Sequence, residues 1–221
     1  MGLKQKIITK LYKPLLEQYL KKDRTFSKFG LKINVPVGVF HPAFFGTTLF
    51  MAQFINKLQI KNQTVLEVGC GSGLLSVLAT KNGAIVTAID INPNAIKATT
   101  ANNLLNNTNV TVVLSNLFQN ISQTFDFVLV NPPFFKKNPI NHWEFAWLAG
   151  QNLEYFHNFF AQLKNVIHLN SNVYMVLAEN CDLTEIFSIA QQHNYIFKEI
   201  ISKKHLCEKQ IIYKIKPIEK Q

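Results

Sequence analysis

The stretch Glu67-Val68-Gly69-Cys70-Gly71-Ser72-Gly73 sets one carboxylate and three glycines between an apolar β-branched run and an apolar helical run. Glycines at this spacing let the chain turn tightly and bring bare backbone against a ligand. The loop also opens a helix, whose N-terminus carries partial positive charge suited to a carboxylate or phosphate. A dinucleotide fingerprint needs glycine at 69, 71 and 74, but position 74 is leucine. No Gly-Lys-Ser/Thr follows, which excludes a phosphate-gripping P-loop. Asp90 ends the next β-like run, at the distance where a carboxylate accepts the two hydroxyls of a ribose. Glu67 brings negative charge into the loop, which suits a cation and repels a pyrophosphate. A ribosylated ligand with ammonium and sulfonium charges, and a carboxylate for the helix end, meets all of these demands. That ligand is S-adenosylmethionine.

A second stretch, Leu129-Val130-Asn131-Pro132-Pro133-Phe134-Phe135, leaves another buried run through two prolines. Each lacks an N–H and fixes φ, so the exit is stiff and cannot extend a ladder. The order Glu67–Gly73, Asp90, Asn131-Pro132-Pro133-Phe134 resembles the Rossmann-like amino-methyltransferases with an Asn-Pro-Pro-aromatic motif. That group includes adenine-N6 and guanine-N2 RNA methyltransferases, DNA adenine methyltransferases and release factor glutamine methyltransferases. The likeness spans roughly residues 39–216 and implies a seven-stranded sheet with its last strand antiparallel. It also implies that Asp90 holds the ribose, that Ile91 packs on the adenine, and that Asn116 and Leu117 meet the adenine edge. Thr47 falls in the segment that folds over the cofactor in that family; Phe44, Phe45 and Gly46 stand where acidic residues often precede it.

The chemistry expected of Asn131–Phe134 is methyl transfer to an exocyclic nitrogen whose lone pair is delocalised into a ring or carbonyl. The Asn131 side-chain oxygen and the Pro132 carbonyl accept its two N–H bonds, turn the lone pair toward the methyl and stabilise the charge developing on nitrogen. Pro132 and Pro133 make that carbonyl direction rigid, and Phe134 offers a ring for stacking on a base or a planar amide. No strong base is required before transfer, so His142 reads as capping or orienting the following helix; Trp143 and Trp147 read as packing on one helix face, with a substrate-facing position as the alternative.

These residues need a scaffold that gathers strand ends. Runs at 64–68, 84–90 and 109–115 read as strands separated by helices over 73–81 and 93–105, the second with Pro93 in its first turn. The run at 125–130 reads as a further strand, followed by a long helical stretch over 144–168, strand 172–179, a helix and two final strands. The expected fold is therefore α/β: a Rossmann-like, seven-stranded, mostly parallel sheet with helices on both faces and an antiparallel C-terminal hairpin. Upstream, 3–21 reads as an amphipathic helix bent near Pro14, 29–40 as a strand pair around Pro36, and 47–57 as a helix capped by Thr47 or Thr48. The division expected is a basic extension over 1–40 and a methyltransferase domain over 41–221.

Hydrophobic residues at 48% and charged ones at 16% describe a chain with a large core. No apolar run reaches the length of a membrane span, and the start has no uninterrupted apolar region. Cys70, Cys181 and Cys207 are scattered and the six histidines dispersed, which argues against a metal and for a reducing, cytoplasmic setting. The net charge is +10, of which +7 falls in residues 1–36. A basic arm beside a nearly neutral body suits RNA, with Lys136, Lys137, Lys203, Lys204 and Lys209 able to follow a phosphate backbone. The alternative substrate is a release factor glutamine, on which the same Asn-Pro-Pro chemistry works.

Overall fold

The computed structural model describes residues 21–43, 46–141, 144–205 and 208–218. Apart from Lys21, the helix expected over 3–21 lies outside them, as do Phe44, Phe45, His142, Trp143 and Cys207.

The β-branched runs form the sheet: β3 (Thr64–Val68), β4 (Ile85–Asp90), β5 (Val110–Leu114), β6 (Phe125–Val130), β7 (Ile167–Ala178), β8 (Tyr195–His205) and β9 (Glu208–Pro217). Their order is β5-β4-β3-β6-β7-β9-β8. The β3–β4, β4–β5, β3–β6 and β6–β7 pairs are parallel, and β9 runs antiparallel between β7 and β8. From β3 the chain steps outward to β4 and β5, then crosses back to β6 and β7. The loops leaving β3 and β6 thus diverge, opening the crevice where open α/β sheets bind ligands.

Side-chain alternation sorts two cores. Val65, Phe127 and Leu129 face α1 (Thr47–Ile55), α2 (Leu74–Lys81) and α3 (Pro93–Leu105). Leu66, Val68, Val128 and Val130 face α4 (Glu154–Leu163) and α5 (Leu183–Gln192), where Phe156, Phe159 and Phe160 are buried. Among the described residues no helix is long and apolar enough to cross a membrane.

Four expectations about local structure need correction. The strand pair is β1 (Arg24–Lys28) with β2 (Leu31–Val35), turning at Phe29 and Gly30, both at positive φ; Pro36 only ends it. Leu31, Ile33 and Val35 join the core under α2 and α3. Gly46, not a threonine, caps α1, in the left-handed region at φ 67° with no side-chain hydrogen bond. The long helix over 144–168 is interrupted: a single turn at Glu144–Ala146 is followed by Gly150 at φ 94° and Leu153 at φ 56°, and only then by α4. The apolar spacing there reflects packing against the sheet from a bent chain, not one helix. Finally, β7 starts at Ile167, inside the stretch expected to be helical.

Candidate functional site

Parallel pairing of β3 with β6 sets Val68 opposite Val130, so the glycine loop and the proline turn emerge side by side. Together they line a cavity of about 470 Å³, within the usual range for small-molecule sites. Glu67, Gly69, Gly71, Asp90, Ile91, Asn116, Leu117, Thr47, Asn131, Pro132, Pro133 and Phe134 all line it. Gly73 does not. It caps α2 at φ 81°, and a Cβ there would stand 2.8 Å from Thr99 Cγ2, so its role is close packing of α2 on α3.

The loop is pinned from three sides. Gly69 and Cys70 donate backbone N–H bonds to the Ile89 carbonyl at 2.9 and 3.0 Å. The Asp90 carboxylate accepts from the N–H groups of Gly71 and Asn92, both at 2.9 Å. Thr99 Oγ1 donates to the Gly71 carbonyl at 3.1 Å, and Asn102 Nδ2 to that of Ser72 at 2.8 Å. Asn102 and Asn106, one helical turn apart, also pair with the backbone of Asn34 and Lys32, locking β2 onto α3. None of Thr99, Asn102 or Asn106 was singled out from the sequence; the i, i+4 asparagine pair was the available signal.

Glu67 points to the α1–α3 side of β3 and accepts a hydrogen bond from Ser76 Oγ on α2. Burial pushes its carboxyl up to about 8, against the pull of that bond. Burial therefore disfavours the expected negative charge in the loop, and a cation beside it would favour it again. Asp90 is also raised by burial, and its N–H bonds offset this only in part. Both carboxyls line the cavity, which suits S-adenosylmethionine. Beside Gly69 a Cβ would find nothing within 4 Å, so this backbone is open to a ligand.

On the other side of the cavity the proline turn is backed by the segment Trp147–Ala149. Phe134 and Phe135 donate backbone N–H bonds to the Trp147 carbonyl at 3.2 and 3.0 Å, and Ala149 donates to that of Phe135 at 2.9 Å. Trp147 thus sits in a turn rather than on a helix face, its ring 4.8 Å from Phe40 and both lining the cavity. Asn131 Nδ2 donates to Thr48 Oγ1 at 3.0 Å. Lys136, expected to follow a phosphate backbone, instead bonds Glu185 and lies 3.5 Å from Asp182 at the start of α5. Lys209 is likewise paired with Glu199 at 3.3 Å. Among the described residues no group of three His, Cys, Asp or Glu could hold a metal ion.

The family model for the methyltransferase small domain matches residues 31–194. A Methanocaldococcus jannaschii protein, provisionally named as a protein N5-glutamine methyltransferase, is 39% identical over 106 residues, 48% of this chain and 52% of its own length. Ribosomal RNA small subunit methyltransferase C of Buchnera aphidicola is 37% identical over 98 residues, 43% of this chain and 28% of its own. The chain spans about half the length of the first and less of the second. Among solved structures, the T. thermophilus 16S rRNA N2 G1207 methyltransferase in complex with AdoMet and guanosine superimposes with a TM-score of 0.65 at 14% identity. That match covers 87% of this chain and 50% of the other, and indicates a shared fold.

Proposed function

The chain belongs to the methyltransferase small domain family, whose methyl donor is S-adenosylmethionine, and on that premise we propose that it methylates a planar exocyclic nitrogen, a nucleobase amine in RNA (adenine N6 or guanine N2). One observation carries this reading: Asn131–Phe134 leave β6 beside the glycine loop and line the same cavity as Glu67 and Asp90.

When bound, the cofactor supplies an electrophilic methyl on a sulfonium sulfur. Asp90 stands at the end of β4 to accept ribose hydroxyls, with Ile91 against the base and Asn116 and Leu117 at its edge. Asn116 is an amide where an acid is usual, so its oxygen accepts without a charge. Glu67, Gly69 and Gly71 take the amino-acid end, Glu67 through an ionised carboxylate. The Asn131 oxygen and the Pro132 carbonyl accept the two N–H bonds of the target amine and aim its lone pair into the cavity. Phe134, half-buried and in ring contact with Phe135 at 4.7 Å, gives the target a stacking surface. The proton leaves after transfer, so none of these residues acts as a strong base.

RNA is supported by how charge is distributed. From residue 24 to 125 the only carboxylates are Glu67 and Asp90, both in the cavity, while Arg24, Lys28, Lys32, Lys57, Lys61, Lys81 and Lys97 occupy the same span. A second reading, a glutamine amide in a release factor or other protein, is favoured by the pairing of Lys136 with acids and by the name of the M. jannaschii relative. Labelled methyl transfer into an extract of cells lacking this gene separates the two. Label lost to ribonuclease supports RNA; label lost only to protease contradicts it and promotes the glutamine reading.

A further inference from the structure

We propose that Thr48 is a positioning residue for the transfer, holding the NH2 end of the Asn131 amide so that its oxygen alone meets the incoming amine. The inference rests on the amine-transfer reading above. It starts from the near symmetry of an asparagine amide. Turned by half a rotation the group keeps its shape but presents two donors where an acceptor is required, and a target NH2 then meets another NH2. Pro132 has no such ambiguity, because a backbone carbonyl keeps its direction. Asn131 needs an anchor, and the fold supplies one from a distant part of the chain.

That anchor is Thr48 Oγ1, which accepts from Asn131 Nδ2 at 3.0 Å. Thr48 is 7% exposed, lies in the first turn of α1 and lines the cavity with Asn131. Its turn is held by the bond from Phe50 N–H to the Gly46 carbonyl at 2.8 Å, and a β-branched side chain on a helix has few rotamers. A hydroxyl both donates and accepts; here it accepts, so the bond holds the NH2 end of Asn131 on Thr48 and leaves Oδ1 turned away from it. A side chain that cannot accept, such as valine, leaves the amide free to turn.

The test compares wild type, Thr48→Val, Thr48→Ser, Asn131→Ala and the Thr48→Val/Asn131→Ala double variant of the full chain. The acceptor is RNA from cells lacking the gene, and S-adenosylhomocysteine binding is measured in parallel. Thr48→Val should lower kcat about tenfold, the effect of one neutral hydrogen bond at the upper end of its range. KM for RNA and S-adenosylhomocysteine affinity should stay at wild-type values, and Thr48→Ser should restore most of the rate. In the Asn131→Ala background, Thr48→Val should cost nothing further. A wild-type kcat in Thr48→Val would overturn the inference, as would a loss that persists without Asn131 or that tracks weaker S-adenosylhomocysteine binding. A wild-type chain that labels neither RNA nor protein in the extract would overturn the transfer reading itself, a separate failure.

Discussion

At the scale of single residues, the proposed site combines acceptors for an amine with one buried acid for a cation and another for ribose hydroxyls, and these respond differently to change. Asn131→Ala removes an acceptor used only as charge develops on nitrogen, so kcat should fall about 10²- to 10³-fold, as for loss of an oxyanion-hole donor. S-adenosylhomocysteine affinity, measured by titration calorimetry, should be unaffected. Glu67 makes a pH prediction. Its carboxyl titrates at about 8 in the folded chain against an ordinary 4.5. Between those values the folded protein holds a proton that the unfolded chain has released. The stability of the ligand-free protein should therefore fall as pH rises through that window, and Asp90, also raised, adds with the same sign. Glu67→Gln should flatten the pH dependence of the urea midpoint. An ammonium group favours the ionised form, so S-adenosylhomocysteine affinity should climb with pH up to about 8 in wild type and lose that slope in the variant.

At the scale of elements, the strands after residue 63 were legible because β-branched, apolar runs alternated with helical periodicity and were punctuated by glycine and proline. Helix α3 was read with its observed limits because Pro93 in its first turn and the run after it carry local signals; Asn92 caps it, accepting from Asn94 N–H. The stretch from 144 to 168 was misread because its aromatic residues suit a helix, while Gly150 and the left-handed Leu153 bend the chain so that α4 and β7 can both reach the sheet. The hairpin turns at Phe29-Gly30, both at positive φ, and not at Pro36, which only ends the ladder because it has no N–H to donate. The clamp on the glycine loop was invisible for another reason: Thr99 and Asn102 bond backbone groups roughly 30 residues away in the chain, and no local rule foresees a partner that tertiary packing supplies. Two substitutions test these elements by urea denaturation. Asn102→Ala strands the Ser72 and Asn34 backbone groups and should cost about 2–4 kcal/mol while weakening S-adenosylhomocysteine binding. Gly73→Ala meets both a positive φ and Thr99, whose backbone Cα would be 3.1 Å from the new Cβ, and should cost at least about 1 kcal/mol.

At the scale of the whole molecule, the acids are unevenly placed. The hairpin and α1–α3 carry Arg24, Lys28, Lys32, Lys57, Lys61, Lys81 and Lys97, whereas Asp182, Glu185 and Glu199 lie beyond β6 and pair with Lys136 and Lys209. The ends of α1 and α2 meet through Asn82 Nδ2 and Asn56 Oδ1 at 2.9 Å, which brings the neighbourhoods of Lys57, Lys61 and Lys81 together. If these lysines follow a phosphate backbone, replacing all three with glutamine should raise KM for RNA and reduce the salt slope of binding by about one for each lysine–phosphate pairing removed. S-adenosylhomocysteine affinity should not change. The basic arm could be read from composition; that the neighbourhoods of Lys57, Lys61 and Lys81 come together required the fold. The most direct test of the central claim is to identify the atom that receives the methyl. RNA from cells lacking the gene is labelled by the purified chain and digested to nucleosides, with Asn131→Ala as control. The account predicts a single Asn131-dependent product methylated on an exocyclic nitrogen of adenine or guanine. Label on a ring carbon, a ribose oxygen or a ring nitrogen, or label that survives Asn131→Ala, would contradict it.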